Sequence, residues 1–362
     1  MTDDLISRWA DLLVDYCLRV MPGESIVLAS NWEGWPLVGA CARAVVLRGA
    51  YPLARFELPG QAEFFLKHAT EAQLVHVPLT QLYEAEHADA RIRIAAESNT
   101  RALQQTDPAR QAAFDRARDP IRKAARRKRW VLTRFPTAAY ATDAGMSLED
   151  YEAFVASAMF LDRVDPMGAW LDLGLRQADL VKLMGSVQKL RIEADGTDIA
   201  LSVAGRTWIN SDGRRNMPSG EIFTGPLEDS ASGRLRCSFP VCRGGRELEG
   251  IRLELESGRV VSARAERGED YLLAMLDLDQ GARRLGEIGL GLNYGIDKFT
   301  RSILYDEKIG GTAHLALGES YPETGATNKS ALHWDLIIDL RNDGRITADG
   351  KVVMEKGLWR VA

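Results

Sequence analysis

The apolar residues of this chain change their spacing near Gly185, and that change calls for two separately built cores. Upstream, Leu5, Ile6, Trp9, Leu12, Leu13, Tyr16, Cys17 and Val20 recur at helical spacing, with Asp3 or Asp4 as the expected cap and Gly23 as the expected end. Ser25-Ile26-Val27-Leu28-Ala29 reads as a buried strand, Pro36 suits the first turn of a helix reaching about Gly49, and the next strand is predicted over 53–58. Strand, helix and strand in that order make a crossover unit, which joins parallel strands. Further strands are expected at Arg91-Ile92-Arg93-Ile94 and Trp130-Val131-Leu132-Thr133.

Downstream, Val187, Leu190 and Ile192 lead into Asp195-Gly196, a hairpin dipeptide, and Ile199 and Leu201 follow. Ile251-Arg252-Leu253-Glu254-Leu255 and Val260-Val261 continue this pattern of short strands between Gly-rich turns. Helices are expected near 269–278 and 297–305, and a last strand at Lys351-Val352-Val353-Met354 after a second turn, Asp349-Gly350. The expected architecture is an α/β domain over residues 1–186 with a mainly parallel sheet, then an α+β domain over 187–362 with a mostly antiparallel sheet. At roughly 150 residues per domain the length accommodates two.

The charge balance narrows the function. A formal net charge of −5 argues against a dedicated nucleic-acid binder. The basic stretch Arg122, Lys123, Arg126, Arg127, Lys128 and Arg129 reads as a solvated helix face. Cys17, Cys41, Cys237 and Cys242 are read as reduced thiols. The start, Met1-Thr2-Asp3-Asp4, lacks the basic and apolar runs of a signal peptide, and no apolar stretch is long enough to span a membrane. A cytoplasmic protein with no nucleic-acid and no membrane partner is expected.

Chemistry-bearing residues gather in the second half. His333 and Asp335 lie two apart in Leu332-His333-Trp334-Asp335-Leu336-Ile337-Ile338-Asp339-Leu340, so a strand there puts imidazole and carboxylate on one face. A plain His–Asp hydrogen bond explains such a pair as often as a metal does. His314 alone reads as a satisfied core histidine, Glu287 as a loop residue and Glu221 as a hairpin glutamate. Together these two histidines and three carboxylates match what borderline divalent ions accept. Five ligands exceed one catalytic tetrahedral site and suit two ions sharing a carboxylate.

The donors sit within Asn216-Met217-Pro218-Ser219-Gly220-Glu221-Ile222-Phe223-Thr224-Gly225-Pro226, Gly281-Ala282-Arg283-Arg284-Leu285-Gly286-Glu287, Asp306-Glu307-Lys308-Ile309-Gly310-Gly311-Thr312-Ala313-His314-Leu315-Ala316-Leu317-Gly318, Ser320-Tyr321 and Ser330-Ala331-Leu332-His333-Trp334-Asp335. In this order they resemble the thermophilic-aminopeptidase family of dinuclear metallopeptidases, aminopeptidase T and aminopeptidase S in type. Pro136-Thr137, Ala144-Gly145-Met146-Ser147, Glu149, Tyr151 and Phe154 extend the resemblance weakly into the first half. The chain departs from the family in being shorter, with less sequence before His333, which bears on the substrate entrance.

The resemblance implies a hydrolase that acts on peptides with a free N-terminus. It implies two divalent ions (zinc, cobalt or manganese) held by Glu221, Glu287, His314, His333 and Asp335, with Glu287 as the bridge. Tyr321 matches the family's active-site tyrosine, Glu221 suits both ligand and proton shuttle, and a homodimer is implied. Some relatives are instead mononuclear iron dioxygenases that open hydroxypyridine rings, keeping a histidine and the H-x-D pair without the full carboxylate set. Glu221, Glu287 and Tyr321 favour the peptidase. A non-catalytic binding protein on the same fold is the third alternative.

Overall fold

Thr2, rather than Asp3 or Asp4, caps the first helix of the computed structural model, which describes residues 1–243 and 246–360. The Thr2 hydroxyl oxygen accepts from Leu5 N at 3.4 Å. Asp3 and Asp4 occupy the first turn instead, where negative charge suits the positive end of the helix dipole. The helix Asp3–Asp11 widens into π-helical turns over Leu12–Leu18 and stops at Arg19, at φ 52, short of Gly23.

The chain divides into two compact units, one of residues 1–169 with 213–218 and one of 170–212 with 219–362. The helix Pro166–Met184, which ends just before the change of spacing, belongs to the second unit from Trp170 onward. In the first unit β1 (Ser25–Asn31), β2 (Tyr51–Glu57), β3 (Ala90–Ala95) and β4 (Arg129–Arg134) form a sheet in the order β2-β1-β3-β4, closed by the short strand Asn216–Met217. Every pairing is parallel. Ile26 to Ala29 are buried without a break, as a strand covered on both faces requires. Pro36 stands in the first turn of the connecting helix Trp35–Leu47. Of the basic stretch, Arg122, Lys123 and Arg126 lie on the helix Asp119–Arg126, with Ile121 buried and Lys123 paired to Asp119 at 2.7 Å, while Arg127 and Lys128 follow it and Arg129 opens β4.

In the second unit Asp195-Gly196 turns the strand Lys189–Ala194 into Thr197–Ser202, with Gly196 at φ 69. These strands belong to an eight-stranded antiparallel sheet that also takes in Lys351–Glu355 after the Asp349-Gly350 turn. A second antiparallel sheet is built from Ile209–Ser211, β5 (Glu221–Thr224), β6 (Leu285–Gly291), β7 (Thr312–Gly318) and β8 (His333–Asp339), in the order β8-β7-β6-β5 and then the short strand. The two sheets share one apolar core, to which β5 to β8 contribute Ile222, Ile288, Leu290, Leu315, Leu317, Leu336 and Ile338. Each such fully buried side chain contributes about 1.5–3 kcal/mol.

The expected helix Glu269–Leu276 forms, but the one predicted over 297–305 does not. Only one turn, Ile303–Asp306, is helical. Thr300 N and Oγ1 both donate to Asp306 Oδ1 at 2.8 Å, and Arg301 adopts φ 61, which breaks the helical path. Among the described residues no helix is long and apolar enough to cross a membrane, and all four cysteines are free thiols.

Candidate metal centre

The face of β5–β8 turned away from the shared core carries all the predicted donors. Strand alternation places Glu221 and Phe223 on that face of β5, Glu287, Gly289 and Gly291 on β6, His314, Ala316 and Gly318 on β7, and His333, Asp335 and Ile337 on β8. Glu287, Ala316 and Asp335 stand opposite one another across three strands. The alanine leaves room between the two carboxylates. A register shift between Leu285 and Glu287 lets Leu285 join the core although Glu287, two residues on, faces the other way.

Gly289 explains how an imidazole fits here. It pairs with His314 across the strands, and a Cβ on it would lie 2.1 Å from His314 Cε1 and 2.2 Å from Nε2. Gly289→Ala is therefore expected to push the ring out of the cluster, destabilising the protein by about 1–3 kcal/mol and costing it bound metal. Thermal melts and metal analysis check this. Unchanged metal content would remove the glycine's role.

Both imidazoles are aimed by backbone carbonyls. His314 Nδ1 donates to Glu307 O at 3.1 Å and His333 Nδ1 to Glu319 O at 2.9 Å, so each presents Nε2 to the carboxylates. His314 Nε2 lies 3.4 Å from Glu287 Oε1 and 3.7 Å from Glu221 Oε2. His333 Nε2 lies 3.5 Å from Glu287 Oε2 and 3.5 Å from Asp335 Oδ1. Thus the two oxygens of Glu287 each face a different imidazole.

Two residues without an assigned role in the sequence reading complete the cluster. Glu307 follows the turn Ile303–Asp306 and groups with His314 and Asp335, while Glu287 groups with His333 and Asp335. In each set the donor atoms lie within 4.8 Å of one another. Lys308 is fully buried, bonded to Glu307 Oε1 and 3.5 Å from Glu221 Oε1. Glu307 lies in the turn after a one-turn helix rather than on a periodic strand, so no spacing rule marks it. The available signal was the charged run Asp306-Glu307-Lys308 between apolar residues.

The electrostatics follow from burial. Burial pushes the carboxyls of Glu221, Glu287 and Glu307 up, with Lys308 or His314 opposing. Burial opposes charge on His314, yet the Glu287 contact and the charges of Glu221 and Asp335 raise it to about 9. His333 is raised to about 10 against the same burial, chiefly by Asp335. Burial works against Asp335 too, but the His333 imidazolium beside it holds that carboxyl down at about 2. Burial sets the direction for the three glutamates, and the crowding of carboxylates around the two imidazoles favours a cation there. Glu221 Oε2 and Asp335 Oδ1 are buried without a hydrogen-bond partner, which is costly for a carboxylate and is what an oxygen ligand of a metal ion looks like. The donor set, hard oxygens with two imidazoles, fits a divalent ion.

Tyr321 stands at the open side of the cluster. Its ring centroid lies 5.4 Å from that of His333 and 5.3 Å from that of Phe223, and its residue is 40% exposed. Its carbonyl accepts from Thr324 N and Oγ1 at 3.0 and 2.6 Å, which fixes the loop. Burial of the phenol and then the charges of Glu287, Asp335, Glu307 and Glu221 raise its pKa, so it remains a neutral O–H donor.

An α/β unit is thus followed by an antiparallel unit whose carboxylate–histidine face has the donors to hold a divalent ion. The thermophilic metalloprotease (M29) model matches residues 2–359, and the chain belongs to that family. It is 31% identical to Aminopeptidase 2 of Geobacillus stearothermophilus over 404 aligned positions, covering 98% of this chain and 97% of the relative. The structure of wild-type AmpT from Thermus thermophilus superposes with a TM-score of 0.87 at 25% identity, covering 99% of both chains. The 2,5-dihydroxypyridine dioxygenase of Pseudomonas putida aligns over 100% of this chain and 99% of its own with a TM-score of 0.58 at 16% identity, a likeness of fold alone.

Proposed function

We propose that this protein is a metal-dependent aminopeptidase that releases N-terminal residues from peptides, with two divalent ions held by Glu221, Glu287, His314, His333 and Asp335. The observation that carries this reading is the placement of Glu287, whose two oxygens lie 3.4 and 3.5 Å from two different imidazoles. Asp335, common to both donor sets, supports it. Charge supports it as well. Glu221, Glu287, Glu307 and Asp335 against Lys308 leave three negative charges, which two divalent ions and a hydroxide neutralise and a single ion does not.

When bound, the ions supply a water of lowered pKa and polarise the scissile carbonyl. Tyr321 donates its O–H to the oxygen on which negative charge develops. An acidic neighbour of the ions that takes the substrate's ammonium terminus gives the preference for free N-termini.

The test combines elemental analysis with assays on amino-acid anilides, their N-acetylated forms and 2,5-dihydroxypyridine. Two divalent ions per chain and hydrolysis of the free-amine anilides alone are expected. A single tightly held iron with ring opening of the pyridine would replace this reading by the dioxygenase.

A further inference from the structure

Lys308 is the one buried cation among the described members of the donor cluster that the proposed chemistry does not use. Its side chain has 0% exposure, an unusual position for lysine. The backbone leaves it little choice. Lys308 N donates to Tyr305 O at 3.0 Å and Asn293 N donates to Lys308 O at 3.1 Å, with Asn293 bridged to Ile309 beside it. The ammonium is thus delivered between two carboxylates, bonded to Glu307 Oε1 and 3.5 Å from Glu221 Oε1. The main chain at Glu221 is anchored separately: Gln177 Nε2 donates to the Glu221 backbone carbonyl at 2.6 Å. Its remaining oxygen, Oε2, faces His314 Nε2 at 3.7 Å and has no hydrogen-bond partner.

We propose that Lys308 is a positioning residue for the metal centre, holding Glu221 Oε1 so that Glu221 offers a metal ion only Oε2. The inference rests on the two-ion reading above. It carries a sign that charge alone does not. Removing a positive charge next to metal ligands makes the site more negative and, by Coulomb's law, tightens a cation. Removing a clamp that orients a ligand weakens metal binding, typically about 10–100-fold.

The experiment is a cobalt(II) titration of metal-free wild type, Lys308→Met, Glu307→Gln and the double variant Glu307→Gln/Lys308→Met, followed by visible absorption. Wild type is the control for the reading: failure to take up two ions defeats the two-ion site itself, independently of Lys308. With that control met, Lys308→Met is expected to bind cobalt about 10–100-fold more weakly and to show an altered cobalt spectrum, because Glu221 becomes free to reorient. Should the single variant not fold, the double variant removes the buried Glu307 charge as well, and the same weakening is expected in it relative to Glu307→Gln alone, which controls for the lost carboxylate. Cobalt affinity equal to or tighter than that of its reference protein in whichever variant folds overturns the proposal. So does a double variant that cannot fold, which would make Lys308 a packing residue.

Discussion

Glu287→Gln is expected to strip at least one metal ion and nearly all peptidase activity from the protein while leaving its fold intact. Glu287 is 5% exposed, and each of its oxygens lies within 3.5 Å of a different imidazole nitrogen. Glutamine keeps the size but removes the charge and turns one acceptor into a donor. Two cations would then share a site with less compensation, and the amide N–H₂ would face one of them. The fold survives because the other face of β6 is independent of the site: Ile288 and Leu290 remain in the shared core. Glu319→Gln is the matched control. Its side chain accepts from Ser330 N at 2.5 Å, a role an amide oxygen keeps, and its backbone carbonyl still aims His333. Metal content, anilide turnover and circular dichroism are measured on both variants. A Glu287→Gln protein holding two ions and turning over normally would end the dinuclear reading.

Tyr321→Phe is expected to lower kcat by about a hundredfold or more with metal content unchanged, the usual effect of deleting one oxyanion donor. The substitution isolates the hydroxyl. The ring contacts with Phe223 and His333, at 5.3 and 5.4 Å between centroids, are available to phenylalanine, and Thr324 bonds the backbone rather than the phenol. Turnover and elemental analysis of the variant decide the matter, and a near-normal kcat would take Tyr321 out of the mechanism.

Much of this was legible in the chain itself. The crossover unit from Ser25 to Glu57 and the parallel sheet it begins follow from a buried run, a proline-led helix and a second strand. Asp195-Gly196 and Asp349-Gly350 marked their hairpins because a left-handed turn residue has few alternatives. The pairing of His333 with Asp335 followed from a strand's period of two. The helix over 297–305 was misread because local propensity does not show that Thr300 will bond the Asp306 carboxylate.

The sequence by itself determined that His333 and Asp335 share one face of β8, whereas Glu221, Glu287 and His314 read singly as a hairpin residue, a loop residue and a core histidine. Periodicity is a local property, set by the backbone of one strand at a time. The tertiary structure decided which donors meet. Asp335 reaches Glu287 only because Ala316 separates them in register, and His314 reaches Glu287 only because Gly289 lies beneath the ring. It alone brought Glu307 and the buried Lys308 to the cluster, from the turn just after a short helix with no period to read. Strand register and loop path are settled by contacts between segments distant in sequence, where side-chain volume and charge compete across strands.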